Sequence, residues 1–123
     1  MVTAPIRKAE QLLETSILDP NTVRHAAEVQ AQLLAWGLGE QVQLGALVLP
    51  LLAADAYDGA TIVEQFGKRP LQIARIAGRF NVGRSKHGEA ATFAKTLRDL
   101  YCCAYVDVET ALVCAADRIA STT

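Results

Sequence analysis

The sequence predicts a compact all-α fold, and three observations support this. The chain has 123 residues, which suits a single helical domain over residues 1–123. Hydrophobic residues make up 51% of the chain but aromatic residues only 6%, and a composition rich in Ala and Leu suits packed helices better than sheets. Apolar residues also recur at helical spacing along most of the chain. We therefore expect a bundle of about six helices.

The most apolar stretch of the chain runs from Val42 to Ala56. Between Leu44 and Ala54 it contains no charged or hydrogen-bonding side chain. A helix that is apolar all round must lie in the centre of a core, and this stretch is too short to cross a bilayer. We expect it to form the central helix, disrupted midway by Pro50, and we expect no membrane partner.

Two helices are predicted before the central one. The first runs from about Pro5 to Ile17. The second begins with Asp19 as N-cap and Pro20 in the first turn, and it ends at Gly37 and Gly39. The residues that these helices would bury are Ile6, Ala9, Leu13 and Ile17 in the first and Ala26, Val29, Leu33 and Trp36 in the second.

Four further helices are predicted after the central one. A turn at residues 57–59 precedes a short helix with a capping box formed by Thr61 and Glu64, and Gly67 ends that helix. Pro70 opens the next helix, residues 81–88 form a loop, and the last helix begins near Asp107. The apolar residues expected on these faces are Ile73, Ala77 and Phe80, then Phe93, Leu97, Leu100 and Ala104, then Val108, Ala111, Leu112, Ala115 and Ile119.

The cysteine and histidine content indicates neither a disulfide framework nor a zinc site. The three cysteines are odd in number and lack CxxC spacing, and the histidines are His25 and His87 only. We expect buried, inert thiols at residues 102, 103 and 114, and neither metal nor cofactor. Since the N-terminus lacks the continuous apolar run of a secretory signal, we expect a cytoplasmic protein.

Charge is unevenly distributed along the chain. Residues 68–86 contain six basic and no acidic side chains, whereas residues 1–67 contain eight acidic and three basic ones. Such a segment could bind phosphates, a nucleotide or an acidic partner surface, or it could be a solvated face whose arginines pair with acidic neighbours. We expect no nucleic-acid partner, because the formal net charge of the whole chain is −1. The candidate ligand-binding residues are Lys68, Arg69, Arg75, Arg79 and Arg84, of which Arg75 and Arg79 would share a helix face.

Several short segments, in order and spacing, resemble a known family. Residues 25–38, His-Ala-Ala-Glu-Val-Gln-Ala-Gln-Leu-Leu-Ala-Trp-Gly-Leu, resemble the segment that opens the HD domain of RelA/SpoT-type guanosine tetraphosphate hydrolases. Residues 62–67, which end in Phe-Gly, are similar to a later helix of that domain. Residues 97–100, 107–108 and 115–119 resemble its closing motifs, the last of them as Ala-Ala-Asp-Arg-Ile. The resemblance covers roughly residues 20–121.

The resemblance implies an all-helical HD domain that has lost its metal site. In the family, a His, a His-Asp doublet and a final Asp hold a metal ion that activates water for phosphate ester hydrolysis. His25 and Asp117 match the first His and the last Asp, and these are vestigial HD positions. The doublet falls on Leu49 and Pro50, and the acidic pair that follows it falls on residues 53 and 54, both Ala. Leucine, proline and alanine side chains offer a metal no ligand.

A different metal site could be assembled from the carboxylates that remain. His25 and Asp117 could approach each other, with Asp55 as a third ligand shifted along the central helix. The alternative is that Asp117 pairs with a nearby arginine such as Arg24. We favour the pairing, because catalytic zinc sites typically have three protein ligands.

We therefore interpret the chain as a pseudoenzyme whose function is binding, with no catalytic residue. The first hypothesis is a protein-interaction or oligomerisation module, acting on an unknown protein partner or a second copy of the chain. The alternative is binding of an anionic small molecule or nucleotide through residues 68–86. A metal-dependent phosphohydrolase is third, and the chain contains no GxSxG, P-loop or GxGxxG motif that would indicate other enzyme chemistry.

Overall fold

The all-α prediction is confirmed. A computed structural model describes residues 3–79, 98 and 100–121, and these residues form helices and turns with no strand among them. None of the described helices is both long and apolar enough to cross a bilayer. The helices are α1 (Ala4–Glu14), α2 (Pro20–Ala35), α3 (Glu40–Ala53), α4 (Gly59–Phe66), α5 (Lys68–Arg79), α6 (the helical residues 100–106) and α7 (Val108–Ser121).

Helix α3 lies at the centre of the fold, as its composition predicts. Residues 42–48 and Leu51 are all buried, and α3 packs against α1, α2, α4, α5 and α7. One group of buried side chains joins α3 to α1, α4 and α5, and a second joins it to α2, α5 and α7. A third group joins α5, α6 and α7, and Leu49 of α3 packs against it. Burial of the apolar surface of α3 therefore connects most of the bundle.

The expectation that Pro50 disrupts α3 midway is wrong. The helix continues through Pro50 to Ala53. A proline lacks only its own N–H, so the helical hydrogen bond that is lost is the one that residue 50 would donate to the Ala46 carbonyl. The Pro50 carbonyl still accepts a hydrogen bond from the Ala54 amide at 3.1 Å. Because Pro50 lies near the C-terminal end of the helix, the turn that follows it is retained.

Most of the predicted helix ends are confirmed, with one change of cap. Asp19 caps α2 by accepting from the Asn21 amide at 2.9 Å, and Gly37 and Gly67 adopt positive φ angles where α2 and α4 end. The capping box expected at residues 61 and 64 is wrong, because Asp58 is the N-cap of α4 and accepts from the Thr61 amide at 2.8 Å. This hydrogen bond lowers the pKa of Asp58.

Some residues expected in the core are exposed instead. Ile17 is 93% exposed, because α1 ends at Glu14 and the Ser16 hydroxyl donates to the Leu13 carbonyl in the turn that follows. On α7 the inward face is rotated from the predicted one. Cys102 is exposed, whereas Cys103 and Cys114 are buried, so the expectation of three buried thiols is wrong for one of them. Three further residues that were expected in the core are also exposed, namely Trp36, Val108 and Ile119. The residues of α7 that are buried instead are Thr110, Ala111, Val113, Cys114, Ala116 and Asp117.

Several predictions concern residues outside those that the structure describes. These are the loop at 81–88, the first part of the helix expected from Phe93, and the side chains of Phe80, Arg84, Lys86, His87, Phe93 and Leu97.

Helix α5 lies against α3 at a point where α3 carries a glycine. A Cβ atom built on Gly45 would lie 2.7 Å from Cγ2 and 2.9 Å from Cβ of Ile73, distances that real side chains do not tolerate. Ile73 is fully buried and belongs to the group that joins α2, α3, α5 and α7. The absence of a side chain at residue 45 is therefore what allows the two helices to pack this closely.

We predict that Gly45→Ala destabilises the protein although alanine favours helix. The added methyl group overpacks the contact with Ile73, at a cost of about 1–3 kcal/mol in the free energy of unfolding. Gly78→Ala is the matched control, because Gly78 is also helical and a Cβ there meets nothing within 4 Å, so its stability should be unchanged or slightly higher. Urea denaturation measures both variants. Equal stability of the two would contradict the close packing of α3 and α5.

Candidate ligand cleft

An open cleft of about 540 Å³ lies among α2, α3 and α7. Most of its wall is apolar, and the polar side chains that line it come from α2 and α7. The apolar lining residues are Leu18, Ala26, Val29, Ala46, Leu49, Pro50, Ala53, Ala54 and Val113, the polar ones are Asn21, Thr22, His25 and Asp117, and Gly78 of α5 completes the lining.

His25 and Asp117 meet at one side of this cleft. His25 Nε2 lies 2.6 Å from Asp117 Oδ1, and the side chains are 30% and 11% exposed. An ionised carboxylate can only accept, so Nε2 is the nitrogen that carries the proton in this contact. The contact joins α2 to α7 across 92 residues of sequence.

Of the two arrangements considered for Asp117, the structure shows the approach to His25 and not the favoured pairing with Arg24. Arg24 is exposed and its Nη2 donates to the Asn21 side chain, one turn earlier on its own helix. Asp117 is therefore joined to the imidazole and not to that guanidinium.

Helix α3 supplies the apolar side of the cleft. Leu49, Pro50, Ala53 and Ala54 all line it, so the positions at which the HD pattern would have a His-Asp doublet and an acidic pair lie in the same cleft as His25 and Asp117. None of these four side chains has an atom that can coordinate a metal. Sequence reasoning thus named six residues, on three segments of the chain, that the fold brings together.

The donor set of the cleft does not fit a catalytic metal ion. Asp55, the suggested third ligand, is exposed, does not line the cleft and has φ 56°, in the left-handed region just beyond the end of α3. Among the residues that the structure describes, no group of three or more His, Cys, Asp or Glu side chains is placed to hold a metal. His25 and Asp117 are two ligands where three are typical.

Sequence reasoning missed two polar residues of the cleft, Asn21 and Thr22. Both lie in the first turn of α2, four and three residues before His25. Side chains at these spacings lie on the same face of a helix, so the spacing could have indicated that they accompany the imidazole.

Arg69, one of the basic candidates, is committed to ion pairs. Its Nη1 and Nη2 lie 2.6 Å and 3.0 Å from the two carboxylate oxygens of Asp107, and Nη2 lies 2.6 Å from Glu109 Oε1. Asp107 also accepts from the Thr110 amide at 3.1 Å at the start of α7. The hydrogen bonds from Arg69 lower the pKa of Asp107, and those to Asp107 and then Glu109 raise the pKa of Arg69. Arg69 therefore fastens α5 to the beginning of α7.

The other basic candidates that the structure describes lie outside the cleft. Lys68, Arg75 and Arg79 are exposed on α5 and none of them lines it, whereas Arg84 lies outside the described residues. Arg75 extends over the first residue of α4, since a Cβ built on Gly59 would lie 2.6 Å from its Nη2. Among the residues that the structure describes, the basic side chains of α5 thus do not line the cleft with His25 and Asp117.

Comparison with known proteins found no protein-family model, curated protein or solved structure that matches this chain. The HD-like interpretation and the function proposed below therefore rest on the residues and geometry of this chain.

We predict that Asp107→Asn lowers the free energy of unfolding by about 2 kcal/mol near neutral pH, because it removes a charge-assisted, two-point contact with Arg69. The folded state lowers the pKa of Asp107, so the stabilisation is complete above the ordinary value of 3.8 and is lost as pH falls through the folded-state pKa. Urea denaturation as a function of pH should show the wild type and the variant converging in acid. Glu109→Gln, at a more exposed partner of Arg69, is the control with a smaller effect. A constant difference at all pH values would contradict this role of the carboxylate.

Proposed function

We propose that this chain is a degenerate HD-like domain that binds a ligand and does not hydrolyse one. The observation that carries the proposal is the convergence of His25, Leu49, Pro50, Ala53, Ala54 and Asp117 on one cleft. These residues come from α2, from α3 and the turn after it, and from α7. The resemblance pairs each of them with a metal-binding or acidic position of the family, and their shared location supports an HD-like arrangement.

The chemistry of the lining supports binding in preference to hydrolysis. Hydrolysis of a phosphate ester by this family's route needs a metal ion that activates water. The α3 side of the cleft contributes only hydrocarbon, and the imidazole of His25 and the carboxylate of Asp117 bond to each other. A volume of about 540 Å³ lies within the range of small-molecule sites, which are concave and mostly apolar with a few polar groups. The cleft thus has the features of a ligand site without those of a metal centre.

Restoring the doublet tests the HD-like arrangement. In the double variant Leu49→His with Pro50→Asp, the new side chains would join His25 and Asp117 in the cleft, and Asp at residue 50 also restores a backbone N–H to α3. We expect this variant to gain stoichiometric binding of Mn²⁺ by isothermal titration calorimetry, whereas the wild type shows none. Circular dichroism checks that the variant is helical.

The matched control is the same double variant with His25→Ala, which should lose most of the gained affinity because it lacks one ligand. Two results would contradict the proposal. One is a folded double variant that binds no Mn²⁺, and the other is binding that does not change when His25 is replaced.

A second candidate function is self-association, favoured by apolar side chains exposed on α6. Tyr101 is 72% exposed, Tyr105 is 86% exposed and Val106 is 63% exposed. Val108, at the start of α7, is likewise 63% exposed. Aromatic side chains are enriched at protein interfaces, and neighbouring exposed apolar residues are typical of an interaction surface.

We predict that the chain forms dimers through this surface in a concentration-dependent manner. Sedimentation velocity should show the dimer fraction rise with concentration, and Tyr105→Glu should reduce it by placing a charge in the interface. Ile17→Glu is the control, because Ile17 is an equally exposed apolar residue, at 93%, in the turn after α1 and outside α6. A wild type that stays monomeric at every concentration would overturn this candidate.

Binding of an anion through the basic segment has less support from the geometry. Arg69 already pairs with Asp107 and Glu109, so an anion would have to displace two carboxylates to reach it. The exposed members Lys68, Arg75 and Arg79 do not line the cleft. The pairing with acidic neighbours that we considered for this segment describes Arg69 well.

A further inference from the structure

We propose that Cys103 and Cys114 form a modification site, at which hydrogen peroxide joins the two thiols in a reversible disulfide between α6 and α7. The site does not involve the ligand or metal chemistry of the cleft, so the proposal is independent of the function proposed above. Three observations support it: the two thiols share one buried group, they are hydrogen bonded to each other, and their helices meet at a corner that is held in place.

The two thiols lie together in the apolar core. Cys103 of α6 is fully buried and Cys114 of α7 is 8% exposed, and both belong to the buried group that joins α5, α6 and α7. Their side chains are hydrogen bonded to each other. The sequence predicts isolated, inert thiols, and this contact between them was not foreseen. Thiols that share a hydrogen bond are already adjacent, so a disulfide between them needs only a small movement of the two helices.

The corner between α6 and α7 keeps the two thiols in contact. Asp107 separates the helices, and its amide donates to the Cys103 carbonyl at 2.7 Å while its carbonyl accepts from the Ala111 amide at 3.0 Å. The carboxylate of Asp107 is bound by Arg69 of α5. Cys103 lies four residues before this corner and Cys114 seven residues after it. The contact between the thiols is therefore part of the folded arrangement of both helices.

Burial decides which oxidant the pair can meet. A thiolate is the nucleophile in thiol oxidation, and burial raises the pKa of Cys103, an effect that the hydrogen bond with Cys114 opposes. The Cys103 thiol is therefore protonated at neutral pH, and we expect the pair to react slowly. A small, uncharged oxidant such as hydrogen peroxide can enter an apolar core where a charged, bulky disulfide cannot. Cys102, by contrast, is exposed on α6 and open to any oxidant.

The reaction takes place in two steps. The sulfur of Cys114, the more accessible of the two residues, attacks one peroxide oxygen, so that an S–O bond forms, the O–O bond breaks and the hydroxide that leaves takes the thiol proton as water. The sulfur of Cys103 then attacks the sulfenic acid, so that the S–S bond forms, the S–O bond breaks and a second water leaves with the Cys103 proton. Two thiols are oxidised and one peroxide is reduced to two waters.

Peroxide treatment of the folded full chain tests the proposal in the variant Cys102→Ser, which lacks the exposed thiol. After removal of the peroxide with catalase, free thiols are alkylated in urea and the chain is cut after glutamate, which separates residues 90–109 from residues 110–123. We expect the monomer to lose two hydrogens by mass spectrometry, and the two peptides to be linked until dithiothreitol is added. Peptides that stay separate and alkylated would overturn the proposal.

Cys103→Ala is the matched control, because it also retains one thiol in each of the two peptides. We expect about tenfold less linkage than in Cys102→Ser, since the exposed Cys102 does not face Cys114. Equal linkage in the two variants would overturn the proposal. Circular dichroism checks that both are helical. Should Cys103→Ala not be helical, the wild type with limiting peroxide replaces it: Cys102 should carry the alkyl group in the linked species, and an alkylated Cys103 would contradict the assignment.

Discussion

The burial of α3 is the constraint on which the rest of the structure depends. A helix with hydrophobic residues all round cannot leave any face in water, so the other helices must cover it from several sides. Five of them do so, and Gly45 lets Ile73 of α5 approach closely. Among its apolar residues, only those towards the C-terminal end, Leu49, Pro50, Leu52 and Ala53, are partly or fully exposed. The cleft lies at this end, so its position follows from how α3 is covered.

The same constraint decides what chemistry the cleft can perform. The side chains that α3 places in the cleft have no donor atoms, so all polar side chains of the cleft come from other helices. His25 and Asp117, supplied by α2 and α7, bond to each other at one side of the cleft. This contact satisfies a mostly buried carboxylate, which in an apolar surrounding would otherwise be costly. A site with one internally paired acid and base and an apolar wall is suited to holding a largely apolar small molecule and unsuited to holding a metal.

Local signals predicted much of the fold, and contacts between distant parts of the chain were harder to foresee. The position of α3, the cap at Asp19 and the stops at Gly37 and Gly67 each depend on a few neighbouring residues and were predicted. The inward face of α7 was not, because its Ala, Val and Cys residues are spread over several faces and give little periodicity. In the cleft, the spacing of a family pattern predicted which residues meet. The attachment of Arg69 to Asp107 was not predicted specifically, because 38 residues separate them and many carboxylates could have served.

Paramagnetic broadening of amide signals by Mn²⁺ is the most direct test of the central claim. The claim is that the apolar residues of α3, which allow the helix to be buried, leave the cleft without a metal site. The measurement is an amide NMR spectrum of the unaltered chain during titration with Mn²⁺, compared with the same titration of His25→Ala. The predicted result is that amides around the cleft, including those of His25, Ala53 and Val113, broaden no more than amides beside exposed carboxylates such as Asp58. Selective broadening of the cleft amides at stoichiometric Mn²⁺, lost in His25→Ala, would contradict it.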